Sequence, residues 1–268
     1  MKKLIVVADD FGFSEAYNYG VIHGFEHGIV TTASLMSNME AAVHAASLAR
    51  MHPRLCIVQH TNIVQGYCCA DPALIPSIVQ PDGKFYRSGE YKGDGILKQG
   101  AGTRVACTED VKLEALAQME RFKALLGYYP MHLEGHSIAG ENVMRAYAEI
   151  GEERGIHAMT LDNREQKGFL SAHEFFADDK EILSLMKSYL SEGLTPDTLI
   201  AILKCLNNNP HEINVLHCHP GYVDAYIMDN STLVFPRCRD LQTLCDPRVR
   251  EFIEREKIEL IGFDKIKL

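Results

Sequence analysis

The eight cysteines of this 268-residue chain form no Cys-x-x-Cys pair. That absence excludes the zinc-knuckle and thioredoxin-like patterns. With no pairing framework, they are expected to be reduced, several of them buried as small apolar groups. Basic residues are not in excess, and the net charge is −9. A nucleic-acid surface needs a basic face, so that class of partner is excluded. No apolar run approaches the length of a membrane span. Lys2 and Lys3 precede only five apolar residues before the chain turns acidic, too few for a secretory signal. A cytoplasmic protein is therefore expected. No internal repeat and no low-complexity segment interrupts the chain. What remains, 46% hydrophobic and 24% charged, matches a globular protein. The length suits one large domain or two small ones, and α/β barrels run to this size as one domain. A single domain over 1–268 is the expectation.

Strand-like and helix-like segments alternate. The β-branched run 4–8 reads as a fully buried parallel strand. Strands follow at 29–36, 55–58 (running into His60), 131–134 (running into His136), 156–161, 213–218 (running into His219) and 258–262. Helices are expected at 15–27, 40–51, 108–126, 141–154, 179–192, 196–207 and 247–257. Residues 61–105 break the rhythm, rich in Gly, Pro, Tyr and Asp, and read as an inserted functional loop or lid. Residues 165–178 read as irregular. The alternation gives an α/β fold with a parallel sheet, either a barrel or an open doubly wound sheet. Strands far apart in sequence end in ionisable residues, at Asp9-Asp10, His60, His132/His136 and His217/His219. A closed ring gathers such ends on one face, so a (β/α) barrel-like single domain is favoured.

Two adjacent carboxylates at a strand end repel unless a cation or an unequal protonation relieves them. The competing reading has Asp9 and Asp10 cap the next helix, a role that Ser14 already fills. A carboxylate and two imidazoles with open positions make a hydrolytic metal site. Asp10, His60 and His136 are the best candidates for one divalent ion. The mixed N/O donors suit zinc, with magnesium or manganese open. Asp9 is then left as a general base for a water. His219, held outward by Pro220-Gly221, can donate a proton to a leaving amine. Arg237, Arg239 and Asp240 are candidates to orient these groups or to bind substrate. Cys218 lies between two histidines but points to the opposite face. No second set of ligands is evident, which disfavours two-metal phosphoester chemistry.

The residues in order are Ala8-Asp9-Asp10-Phe11-Gly12-Phe13-Ser14, then His60, then His132-Leu133-Glu134-Gly135-His136. His219-Pro220-Gly221-Tyr222-Val223-Asp224 and Pro236-Arg237-Cys238-Arg239-Asp240-Leu241 follow. With this series the chain resembles the YdjC-like carbohydrate deacetylases over nearly its whole length. The resemblance implies a (β/α) barrel-like hydrolase, often a homodimer. It implies Asp9 as general base, Asp10, His60 and His136 on a divalent metal (zinc or magnesium), and His219 as general acid. The implied reaction removes an N-acetyl group from an amino sugar or chito-oligosaccharide and releases acetate. The chain departs from the family pattern around two ligands. Glu134-Gly135 stands where Asp-Ser is usual, Ser137-Ile138 replaces a His-x-His continuation, and Val58-Gln59-His60 replaces Gly-x-His. A different amide or ester substrate, or a catalytically silent sugar-binding relative, are the alternatives. In the inserted loop, Tyr67, Phe85, Tyr86, Arg87, Tyr91 and Lys92 either shape a sugar site or pack the loop.

Overall fold

The computed structural model describes residues 2–92, 102–159, 169–171, 192–208 and 211–266. Its centre is a sheet of eight strands, all paired in parallel. They are β1 (Lys3–Phe11), β2 (Thr32–Leu35), β3 (Cys56–Thr61), β4 (His132–Gly135), β5 (His157–Ala158), β6 (Phe169–Ser171), β7 (Ile213–Cys218) and β8 (Glu259–Leu260). The order is β5-β4-β3-β2-β1-β7-β6, with β8 paired to the start of β1. This is chain order read around a ring. The expected barrel-like α/β architecture is met in strand order and direction. Among the described residues the ring is open at one seam, between β5 and β6.

Eight helices are described: α1 (Glu15–His27), α2 (Ala42–Met51), α3 (Thr108–Leu126), α4 (Glu141–Arg154), α5 (Pro196–Asn208), α6 (Ala225–Asn230), α7 (Phe235–Leu244) and α8 (Pro247–Arg255). Ser14 caps α1, its hydroxyl accepting the Tyr17 N–H at 3.2 Å. The carboxylates of Asp9 and Asp10 are therefore released from capping. α3 carries Glu109 and Asp110 in its first turn and stops at Gly127, in the left-handed region with φ +90°. Among the described residues, no helix is long and apolar enough to cross a membrane.

Three expectations shift. The strand expected at 29–36 is regular only over Thr32–Leu35, because Ile29 and Val30 are buried as part of the approach to it. Residues 165–178, read as irregular, contain β6. α6 and α7 were not expected at all. α7 buries Arg237, Asp240 and Thr243 beside Pro236, Leu241 and Leu244, so no apolar stripe marks its face. The helix expected over 179–192 lies outside the described residues except for residue 192.

The strands alternate between two packing layers. Leu4, Val6, Ala8, Leu216 and Cys218 pack towards the helices, in the largest apolar cluster. Ile5, Val7, Cys56, Val58 and Val215 pack on the other face with Ile261 and Phe263. Continued by twos, that inner face runs to Asp9 on β1, His60 on β3 and His217 then His219 on β7. The described part of the inserted loop is packed rather than extended. Ile63, Val64, Ile75, Ile78, Val79, Phe85 and Tyr91 join buried residues of α3 and α4 in a second cluster. Glu114 of α3 fastens it, its carboxylate accepting the N–H groups of Cys69 and Ala70 at 2.9 Å each.

Candidate active site

Residues adjacent on a regular strand point to opposite faces, so Asp9 and Asp10 should not share a site. β1 breaks that rule with one extra residue. Ala8 pairs with Ala33, yet Phe11 pairs with Leu35, three steps on β1 against two on β2. Such a bulge turns a strand locally and re-aims a side chain. Asp10 takes the turn in the left-handed region, with φ +62°. For a residue other than glycine that conformation is strained and is held by its surroundings. Ser137, immediately after His136, has φ +68° in a tight turn closed by the Ile138 N–H on the His136 carbonyl at 2.8 Å. Two of the three non-glycine residues with positive φ among those described thus lie at or beside this cluster.

The structure brings Asp10, His60 and His136 together. Asp10 Oδ1 lies 2.8 Å from His136 Nδ1 and 3.2 Å from His60 Nε2, and the two ring nitrogens are 3.3 Å apart. Three lone-pair donors converging on one point, two of them imidazole nitrogens, suit a cation of mixed N/O preference. The proton balance agrees. Burial disfavours a charged His60, but its contacts with Asp10 and Glu134 raise it to about 10. A histidine ligand must be neutral, so an ion bound here would displace that proton. The residues present therefore fit a metal.

Arg237 braces the other side of Asp10. Its Nη2 donates to Asp10 Oδ2 at 2.8 Å, and its Nε donates to the Leu233 carbonyl at 2.7 Å. The guanidinium lies over the rings of Tyr17 and Phe13 at 4.8 and 5.3 Å. Burial pushes the Asp10 carboxyl up, but His136 and Arg237 outweigh it and hold the group well below the usual range.

Asp9 sits on the other side of the cluster. Its carboxyl is raised, chiefly by burial and further by the charge of Glu134. Asp9 Oδ1 is 3.2 Å from His217 Nδ1, and Asp9 Oδ2 is 3.9 Å from His219 Nε2. Asp240 seats the His219 backbone, accepting its N–H at 2.9 Å. Tyr17 supports the turn by donating its hydroxyl to the Asp9 carbonyl at 2.8 Å.

The remaining sequence candidates divide. Arg237 and Asp240 touch the site, whereas Arg239 is exposed and bonds to Gln242. Cys218 is buried towards the helices. Phe85 and Tyr91 are packed in the loop's own core, and Tyr86 lies under Arg104. Gly135, where the family pattern has a larger residue, is dictated by Tyr147. A Cβ there would stand 2.8 Å from Tyr147 Cε2. A second group, Asp9, His60 and Glu134, also brings ligand atoms within 4.8 Å of one another, but it shares His60 with the first. Sequence reasoning passed over Glu134. The signal was its spacing of two from both His132 and His136, which puts it on the same face.

Fold and site together define a parallel α/β protein with an Asp-His-His cluster at its strand ends that could hold a cation. A buried carboxylate and an imidazole flank that site. A family model described as YdjC-like protein matches residues 3–255. A carbohydrate deacetylase from Clostridium beijerinckii is 32% identical over 98% of this chain and 100% of its own. A chitooligosaccharide deacetylase from Yersinia pestis is 25% identical over 98% of this chain and 99% of its own. Among solved structures, an Enterococcus faecalis V583 protein provisionally assigned to cellobiose-phosphate cleavage superposes with TM-score 0.79. It is 22% identical, and the match covers 100% of this chain and 99% of that one. The chain belongs to the YdjC-like family.

Proposed function

We propose that this protein is a metal-dependent carbohydrate deacetylase, hydrolysing the N-acetyl group of an amino sugar or chito-oligosaccharide to release acetate. The observation that carries the reading is the convergence of Asp10, His60 and His136, flanked by Asp9 and His219. The curated relatives named above carry deacetylase names, which supports the choice of substrate class. Asp10, His60 and His136 hold one divalent ion, zinc or magnesium, with the N/O set suiting zinc. Bound there, the ion supplies Lewis acidity to the amide carbonyl and to a water.

The chain's own residues do the rest. Asp9, buried and raised, accepts the proton of the attacking water at its carboxylate. Its Oδ2 faces His219, whose Nε2 delivers a proton to the departing amine. Burial of Asp9 keeps bulk water from competing for the proton it accepts. A homodimer belongs to the same reading and rests on the family resemblance.

The test is acetate release from N-acetylglucosamine, its 6-phosphate, diacetylchitobiose and longer chito-oligosaccharides, after chelation and after readdition of zinc or magnesium. Metal-dependent release supports the reading and selects the substrate. A protein that binds metal yet releases acetate from none of them refutes the substrate class.

A further inference from the structure

Glu134 has no part in the reaction just described, yet it is buried at the centre of the site, 1% exposed. It faces three imidazoles. Its Oε1 is 3.4 Å from His60 Nδ1, and its Oε2 is 3.3 Å from His132 Nε2 and 3.7 Å from His217 Nδ1. His217 Nδ1 in turn is 3.2 Å from Asp9 Oδ1. Charge contacts of 3.4, 3.7 and 3.2 Å therefore link a metal-ligand candidate to the base candidate, His60 to Glu134 to His217 to Asp9. A position that only had to fill space would hold an apolar side chain, as Val7, Val58 and Val215 do on the same face.

We propose that Glu134 and His217 are positioning residues, one for each half of the site. This rests on reading Asp10, His60 and His136 as the metal centre and Asp9 as the base. The charge of Glu134 Oε1, 3.4 Å from His60 Nδ1, keeps the ring proton on Nδ1, so the lone pair of Nε2 is left facing Asp10 and His136. Which ring nitrogen of a histidine binds a metal is set by the partner of the other nitrogen. His217 occupies Asp9 Oδ1 and leaves Oδ2 directed to His219 and the substrate side. A carboxylate so pinned presents one oxygen in one orientation, which a base needs. A second metal ion on Asp9, His60 and Glu134 is the competing account. It would require His60 to serve two ions through one ring, without the Nδ1 proton that faces Glu134.

The experiment measures metal stoichiometry and affinity in competition with a chromophoric chelator. It also measures kcat and KM for the best substrate, in the full-length chain. The variants are Glu134→Gln, His217→Gln, His217→Leu and, as a control, Asp10→Asn. Thermal melts show that each variant is folded. We expect one equivalent of metal in the parent and about tenfold or greater loss of affinity in Glu134→Gln. We expect unchanged metal affinity and KM in both His217 variants. Their kcat should fall in the order His, Gln, Leu, because Gln keeps a donor for Asp9 and Leu does not. Metal binding lost in Asp10→Asn but untouched in Glu134→Gln overturns the role of Glu134 alone. A kcat in His217→Leu equal to the parent overturns the role of His217. Two equivalents in the parent, falling to one in Glu134→Gln, make the lower group a second metal site and overturn the proposal. Binding untouched in Asp10→Asn overturns the metal reading, and this proposal with it.

Discussion

Removing the guanidinium behind Asp10 is the most direct probe of how the site is held. In Arg237→Met the Asp10 carboxylate, fully buried, loses the cation at 2.8 Å from its Oδ2. Breaking a buried ion pair by deleting one partner costs about 3–5 kcal/mol, because the other charge stays buried without it. The Leu233 carbonyl loses its 2.7 Å donor at the same time, for about 1 kcal/mol more. The expected deficit is thus about 4–6 kcal/mol, or roughly 8–12 °C in Tm for a chain of this size. Chelated protein, melted by circular dichroism, gives that number directly. Adding zinc should narrow the gap, since a cation on Oδ1 restores part of the lost charge balance and binds the native state alone. Arg237→Lys should fall between the two, having the charge without the planar fork. A deficit below about 1 kcal/mol in chelator, or a gap that widens with zinc, would refute the reasoning.

Asp9→Asn should abolish turnover while metal content, measured by plasma emission spectrometry, stays at the parent level. Full activity in that variant would remove Asp9 from the base role. Gly221→Ala should lower both stability and kcat. The added Cβ would overlap the Tyr17 ring, and Tyr17 holds the Asp9 carbonyl, so a parent-like melt and rate would show that this packing is slack. Glu114→Leu should cost about 1–3 kcal/mol by leaving the Cys69 and Ala70 N–H groups without their acceptor. Hydrogen exchange should rise first around residues 66–86, and uniform protection there would contradict the fastening role.

Much of the framework was legible because it rests on local chemistry. Leu4 to Ala8 is apolar throughout because β1 is covered on both faces, and a buried parallel strand has no other pattern. Ser14 was readable as a cap, and Pro196 and Pro247 as helix openings, from the backbone groups those residues satisfy or lack. His60 and His136 were readable because each sits at the end of an expected strand, alongside the Asp9-Asp10 pair. α7 was not legible, and its buried face explains why. The residues it turns inward are Arg237 and Asp240, which serve Asp10 and the His219 backbone. A helix recruited to organise a polar site loses the apolar period by which helices are recognised. Glu134 was missed for a related reason, since a carboxylate between two histidines reads as solvated until the fold encloses it.

The pair Asp9-Asp10 marks where sequence reasoning reached the right residues by an incomplete route. Adjacent strand-end side chains diverge, and divergence alone suggests separate tasks. Yet divergence on a regular strand would have sent Asp10 to the helix-facing layer beside Ala8 and Cys218, away from His60. The bulge and the positive φ of Asp10 instead keep both carboxylates on the inner face, near His60. The two then differ through what surrounds them. Asp10 meets His136 and Arg237 and is held ionised, whereas Asp9 is raised by its burial and further by the charge of Glu134. One extra residue in one strand therefore brings two like side chains into a single site, and their neighbours give them opposite electrostatics. That separation is what a ligand and a base placed side by side require.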